Sequence, residues 1–314
     1  MIKGLAITPP VLGRISIGKV IERNGKRLPE KDDQFTITSQ VQSRDGWVAH
    51  PIDEELRQAA PNGKLRSIPV RVLFNDPDLN LRAEYSLFDR QNGRPLCVGN
   101  GETCKRLTAS GMQTLPCPAP ESCELAKGQA CKPYGRLNVQ IGDEDDVGSF
   151  IFRTTGFNSI RCLTARLHYY KAVSGNLLAC LPLELRLRGK STTQSHRSAI
   201  YYADLTIRDG MSLEAAIQMA KQLHAHRQAG GYMQEDLDQT VREGFANGAF
   251  EDSEEDASDI VEEFFNASAV DISITNDLMP SSPETVNASK PKLKPKLMEK
   301  LEQRAALLPS AQSN

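Results

Sequence analysis

Five of the seven cysteines fall in one short stretch: Cys97, Cys104, Cys117, Cys123 and Cys131, separated by 6, 12, 5 and 7 residues. Thiolates at that density bind borderline-soft metals, zinc above all, in closed tetrahedral sites of four sulfurs. Gly, Pro and polar residues fill the space between them, which is turn chemistry. A stretch so poor in apolar side chains does not hold itself by burial, whereas thiolate–metal bonds stabilise a loop-rich unit directly. The expectation is a structural Zn2+ clip made by Cys97, Cys117, Cys123 and Cys131, with Cys104 left over. The gaps are wider than the Cys-x2-Cys knuckles of common zinc modules, and the competing reading is a cluster of free, reduced thiols. Disulfides are disfavoured because the chain opens M-I-K-G-L-A-I-T-P-P, without an apolar signal segment, which points to the cytoplasm.

Other groups capable of chemistry are sparse. The sequence has no Walker loop, no G-x-G-x-x-G, no G-x-S-x-G and no H-E-x-x-H, and its five His are scattered. Asp76 and Asp78 sit in an Asn-Asp-Pro-Asp turn, where capping is the ordinary role of such residues. Asp143, Glu144, Asp145 and Asp146 form an acidic loop with no His or nucleophile nearby in sequence. An all-thiolate site offers neither an open coordination position nor a general base, so the metal is read as scaffolding.

Charge is uneven along the chain although the net value is only −2. Residues 150–210 hold nine Lys/Arg against three acids, residues 251–263 hold eight acids and no base, and bases dominate again over 290–304. Arg153, Arg161, Arg186, Arg188, Lys190 and Arg197, with tyrosines between them, are candidates for contacting DNA phosphates or a partner protein. An ordinary solvated sheet face is the competing reading. No apolar run approaches the ~18 residues needed to cross a bilayer.

These groups need elements to hold them. Strands are expected at 13–18 and 35–38, with an Asn24-Gly25 hairpin turn between them. Trp47 and His50 read as a core corner. Two strands follow across 67–89, with Val70, Val72 and Phe74 on one face of the first and Ala83, Tyr85 and Leu87 on one face of the second. The cysteine segment reads as a long excursion from that pair. Strands return over 135–155. A helix capped by Asn158 or Ser159 follows, with Ile160, Leu163, Leu167 and Tyr170 toward the core. Cys162 and Cys180 read as buried or half-buried thiols and not ligands. Leu181, Leu183, Leu185 and Leu187 alternate with polar residues, and 199–205 alternates likewise, as in an antiparallel pair. Helices are expected from Ser212 to about Gln228 and from Gln234 to about Phe245, the first ended by Gly230.

The fold class is therefore α+β: a mainly antiparallel sheet, two or three packed helices, a Cys-rich zinc-binding excursion and a disordered C-terminal tail. The expected divisions are a β-rich segment over 1–60, a core over 61–245 and a tail over 246–314. Within the tail, residues 259–265 (D-I-V-E-E-F-F) read as a docking peptide and 292–308 as a short basic helix.

Four blocks together carry a family likeness: C-V-G-N-G-E at 97–102, P-C-P-A-P-E-S-C at 116–123, C-K-P-Y-G-R-L-N-V at 131–139 and F-R-T-T-G-F-N-S-I-R at 152–161. Their order and spacing resemble the recombination directionality factor-like proteins of phages and integrative elements, over roughly residues 65–210. The resemblance implies an accessory protein that binds an integrase or other recombination protein, DNA, or both, and matches Cys97, Cys117, Cys123 and Cys131 as thiols. It brings no catalytic residues. A metal-dependent hydrolase using Asp76, Asp78 or residues 143–146, and an adaptor working through residues 259–265, are the alternatives.

Overall fold

The leucine alternation after Cys180 builds the strand from which the core is easiest to follow. In the computed structural model, which describes residues 10–23, 26–43, 46–143, 148–191, 199–247 and 264, Leu183 and Leu185 are fully buried on that strand. In chain order the elements are β1 (Val11–Arg23), β2 (Lys26–Ser43), β3 (Gly46–Ala49), α1 (Pro51–Ala59), β4 (Ser67–Val72), α2 (Pro77–Asn80) and β5 (Leu81–Phe88). Then come β6 (Pro95–Gly99), β7 (Thr103–Thr108), β8 (Gly111–Pro116), α3 (Ala119–Ser122), β9 (Cys131–Ile141) and β10 (Ser149–Thr154). The series ends with α4 (Phe157–Val173), β11 (Leu183–Ser191), β12 (Ala199–Ile207), α5 (Leu213–Ala229) and α6 (Gln234–Asn247).

The strands form one mixed sheet in the order β3-β2-β1-β10-β9-β5-β6-β7-β8, with β4, β11 and β12 branching from β9. Every pairing is antiparallel except β1 with β10. Strand β9 is long enough to pair with β5 through residues 131–137 and with β4 through residues 139–141 along the same edge. The sheet runs without a break across residue 60, because β1 pairs with β10. The chain divides into two units, residues 1–276 and 277–314, and all described residues belong to the first. The tail expected over 246–314, including the basic helix, lies outside the described residues except for the end of α6 and Phe264.

One face of the sheet carries the main core. Ile15, Phe35, Ile37, Leu137, Val139, Phe150 and Phe152 meet Leu163, Leu167 and Tyr170 of α4, the leucines of β11, and Ala216 and Ala220 of α5. The helical stripe read from the sequence is thus the buried one. Its cap differs: α4 begins at Phe157 behind Gly156. Asn158 and Ser159 turn inward instead, where Asn158 accepts from Lys190 Nζ (2.8 Å) and Ser159 Oγ accepts from Ala203 N (3.0 Å). Gly135 lets α4 approach β9, since a Cβ there would stand 2.9 Å from Ile160 Cγ1. Ser212 caps α5 by accepting from Ala215 N (3.1 Å). The Trp47–His50 corner is structural: His50 caps α1 and stacks edge-on against Phe150, and Arg14 lies over the Trp47 ring.

A buried carboxylate ties α6 to the body. Asp238 accepts the backbone N–H of Asn75 (3.0 Å) and of Asp76 (3.2 Å), and the amide of Gln234 (2.7 Å). Burial pushes its carboxyl above the usual range despite these donors. A raised folded-state pKa means that stability from this group is fullest at acid pH and falls as pH rises through the raised value. Asp238→Asn keeps an acceptor for both backbone N–H groups and removes the titration, but its amide NH2 stands where Gln234 Nε2 donates, and Gln234 Nε2 also donates to Leu73 O (3.0 Å), so one of these bonds is lost. The variant is expected to be less stable than wild type at acid pH, by about 1 kcal/mol, with the deficit shrinking as pH rises to 7. A deficit that is the same at both pH values would contradict this.

Candidate functional site

The cysteine stretch is more regular than its composition suggested. Strands β6, β7 and β8 extend the sheet as a meander, so backbone ladders hold this excursion where side-chain burial does not. The meander also sets where the sulfurs point. Cys97 on β6 and Cys131 on β9 both pair with Leu87 of β5, so the three residues lie in one row across the sheet and share a face. Cys104 pairs with Gly99, two residues from Cys97, and so shares that face too. Gly99 makes room there: a Cβ on it would stand 2.6 Å from Cys104 Cβ and 3.0 Å from Cys117 Sγ. Cys123 follows the short α3 turn and is half-buried.

The thiols perturb one another. Burial first, then the proximity of Cys97, Cys117, Cys123 and Cys104, pushes the Cys131 thiol up to about 12. Burial and a hydrogen bond with Cys97 push Cys104 up to about 11. Cys104, left over by spacing, therefore stands inside the group. Arg106 hydrogen-bonds Cys97 and donates from Nη2 to Cys104 Sγ (3.8 Å), a guanidinium that the sequence reading missed. All seven cysteines are free thiols. Among the described residues no three His, Cys, Asp or Glu side chains stand arranged as a group that holds a metal. The donor chemistry suits zinc, and closing a tetrahedral site at about 2.3 Å per sulfur requires the sulfurs to draw together. Cys162 is half-buried and Cys180 buried, the latter accepting from Arg227, away from this cluster.

The basic candidates separate. Arg186 pairs with Glu184 and Asp209, and Arg188 with Asp204 (3.1 Å), which also holds Arg166. Lys190 donates to Asn158, Arg161 is exposed on α4, and Arg197 lies outside the described residues. Arg153 belongs elsewhere. It pairs with Arg136, which pairs with Arg82, so three arginines stand in register across β10, β9 and β5 on the face opposite the cysteines. Arg71 on β4, the neighbour of core residue Val72, and Arg14 on β1, the neighbour of core residue Ile15, point the same way. Lys132 and Tyr134 on β9 complete this face toward β5. Periodicity within single strands could have shown each arginine outward, but only the pairing register aligns them.

The carboxylates considered for acid–base work are engaged in structure. Asp76 caps α2, and Arg242 beside it holds its carboxyl below the usual range in spite of burial. Asp143 pairs with Arg208 (2.6 Å) and Arg71 (2.9 Å) and is lowered by them; residues 144–146 lie outside the described set.

The molecule is thus an α+β protein whose sheet presents thiols on one face and arginines on the other. A family model described as Gp3-like, recombination directionality factor-like, matches residues 12–208, from β1 to just past β12, and the chain belongs to that family. The match takes in the N-terminal strands, which the likeness read from residues 65–210 left out, together with the thiol cluster and the arginine row; α5, α6 and the tail lie beyond it. No curated protein and no solved structure matches the chain. No helix among the described residues is long and apolar enough to cross a membrane.

Proposed function

We propose that this protein is a zinc-stabilised accessory factor of phage or mobile-element recombination that contacts DNA through the arginine face of its sheet. The observation that carries the reading is the row Arg82–Arg136–Arg153, in register across three neighbouring strands. Strand spacing sets such cations about 5 Å apart, and a guanidinium is the donor best shaped for phosphate. Arg14, Arg71 and Lys132 extend the same positive face but are each more than nine-tenths buried, so contact with DNA requires this face to open, and half-buried Trp47 adds a ring on which a base can stack. Zinc held by Cys97, Cys117, Cys123 and Cys131, with Arg106 offsetting the thiolate charge, would fix the β6–β8 meander at one end of that surface. The family's description makes an integrase or other recombination protein the expected protein partner.

Filter binding of the full chain across a salt series tests this. Phosphate contacts predict that log K falls linearly with log salt, and removing two of them by Arg136→Gln with Arg153→Gln is expected to lower the slope by about 1.8. The comparison includes a full chain in which the eight acids of residues 251–263 are amides, which removes the repulsion between that run's charge and DNA. Absence of low-salt binding by both the wild type and the amide variant, to single- and double-stranded DNA, would overturn the DNA reading.

A further inference from the structure

Among the described residues three strands end the sheet, each pairing with one neighbour: β3 with β2, β12 with β11 and β8 with β7. A bare strand edge is a row of open N–H and C=O groups that another strand can complete, and folded proteins ordinarily guard it. Two of these edges are guarded. Strand β3 has only four residues, and its register with β2 slips between Thr38 and Gln42. Helix α4 covers the outer edge of β12, where Ser159 Oγ accepts from Ala203 N (3.0 Å) and the Tyr170 hydroxyl meets the Ile207 backbone.

Among the described residues β8 has neither protection. Gly111–Pro116 reads G-M-Q-T-L-P, six residues without a charge. Met112, Gln113, Thr114 and Pro116 are exposed. Of the usual guards it carries Pro116, at its far end. Met112 pairs across the hairpin with Leu107, and the two are 48% and 52% exposed. Leu107 lies three residues from Cys104 on one strand, so this apolar pair stands on the face opposite the sulfurs.

These features select a second copy of the same chain as the occupant. Strand addition of a foreign peptide takes its specificity from pockets beside the edge, whereas Met112, Gln113 and Thr114 stand in the open. An identical β8 arrives already extended on its own ladder, so it loses little freedom on pairing. Antiparallel pairing about a two-fold axis at Gln113 sets residues 111–115 of the two copies opposite one another. Met112 then faces Thr114 of the second copy, and the two Met112 side chains come into diagonal reach. The nearest cations, Lys105 and Arg106, lie one strand back. In the pair they stand three strand spacings apart, at least about 14 Å, beyond the ~8 Å over which exposed charges act at physiological salt.

We propose that β8 is a self-association edge: two copies join antiparallel through residues 111–115 and continue the sheet from one molecule into the other. So short a contact buries less than the about 1,000 Å2 of a permanent interface. The dimer is therefore reversible, with a dissociation constant on the order of 100 µM. The pairing uses neither the metal nor the arginine row, so it stands apart from the zinc and DNA readings.

Sedimentation equilibrium of the full chain from about 10 µM to about 1 mM tests this. Wild type is expected to pass from monomer to dimer across that range. Met112→Lys and Met112→Glu each set like charges near the axis and remove an apolar contact, and each is expected to weaken the dimer about tenfold. An equimolar mixture of the two variants is expected to recover dimer, because the facing charges are then opposite. Met219→Lys, at an exposed position of α5, is the control that leaves the dimer unchanged. Wild type that stays monomeric throughout, or a dimer that neither Met112 variant weakens, would overturn the proposal. A mixture that associates no better than its two parts would overturn it as well.

Discussion

Cys131→Ser is expected to strip the protein of the zinc proposed above and to lower its melting temperature by more than any single surface substitution. Cys131 is where the sulfurs converge: it shares a row with Cys97 across Leu87, and its thiol is raised first by burial and then by four other thiols. A serine hydroxyl is a poor zinc ligand, and three thiolates leave the tetrahedron open. In small zinc-folded peptides the metal contributes about 10–16 kcal/mol. The effect expected here is smaller, because the backbone ladders β6–β7 and β7–β8 also hold the meander. Elemental analysis of chelator-free protein, with thermal melts before and after chelation, measures both. Cys162→Ser serves as the control that retains metal. Cys104→Ser tests the ligand set: full loss of zinc would replace one of the four chosen sulfurs by Cys104. Wild-type protein without stoichiometric zinc would remove the metal from the description of this family member, leaving a hydrogen-bonded thiol cluster with Arg106.

The second large effect lies away from the thiols, at Asn80. This side chain is fully buried at the corner where β4 turns into β5. Its carbonyl accepts the N–H groups of Leu73 and Phe74, both at 3.0 Å. Its amide donates to the carbonyls of Phe74 (2.7 Å) and Asp76 (3.0 Å). Asn80→Ala abandons four backbone groups where water is scarce, at about 1–3 kcal/mol for each that stays unsatisfied. Partial rescue by relaxation puts the expected loss at about 3–5 kcal/mol, a large fraction of the stability of an ordinary domain. Asn80→Asp separates the two halves of the interaction. It can accept from Leu73 and Phe74 but, when ionised, cannot donate to the carbonyls. It should therefore be markedly less stable at pH 7 than at pH 4. Denaturant melts at both values decide this, and an Asn80→Ala protein within about 1 kcal/mol of wild type would show that water fills the corner.

The same corner positions both faces of the sheet. Helix α2 and the Asn80 bonds start β5, β5 carries both Leu87 toward the sulfurs and Arg82 toward the arginine row, and α6 is anchored beside it by Asp238. Loss of this corner is expected to disturb both faces together, whereas Cys131→Ser acts on one.

How much of this was legible in the sequence depended on how local each feature is. Alternation placed Leu183 and Leu185, helical spacing placed Ile160, Leu163, Leu167 and Tyr170, and Ser212 and Gly230 marked the ends of α5, because a single strand or turn determines each. The clustering of five cysteines was visible as composition. The strand character of β6–β8 was not, since a meander stabilised by backbone ladders needs few apolar residues. Asn158 and Ser159 looked like caps because their local chemistry is that of caps, but tertiary donors from Lys190 and Ala203 claimed their side chains.

From the sequence alone, then, came the α+β class, the sulfur-rich stretch, the family likeness and the opposed charges of body and tail, all properties carried by short windows of chain. Tertiary structure alone decided that Cys97 and Cys131 share a row, that Cys104 and Arg106 join them, that Arg82, Arg136 and Arg153 align behind them, and that Phe264 lies against Tyr134. Those are facts of register between strands far apart in sequence. A shift of one residue would send every side chain to the other face, and no local pattern records which register the core selects.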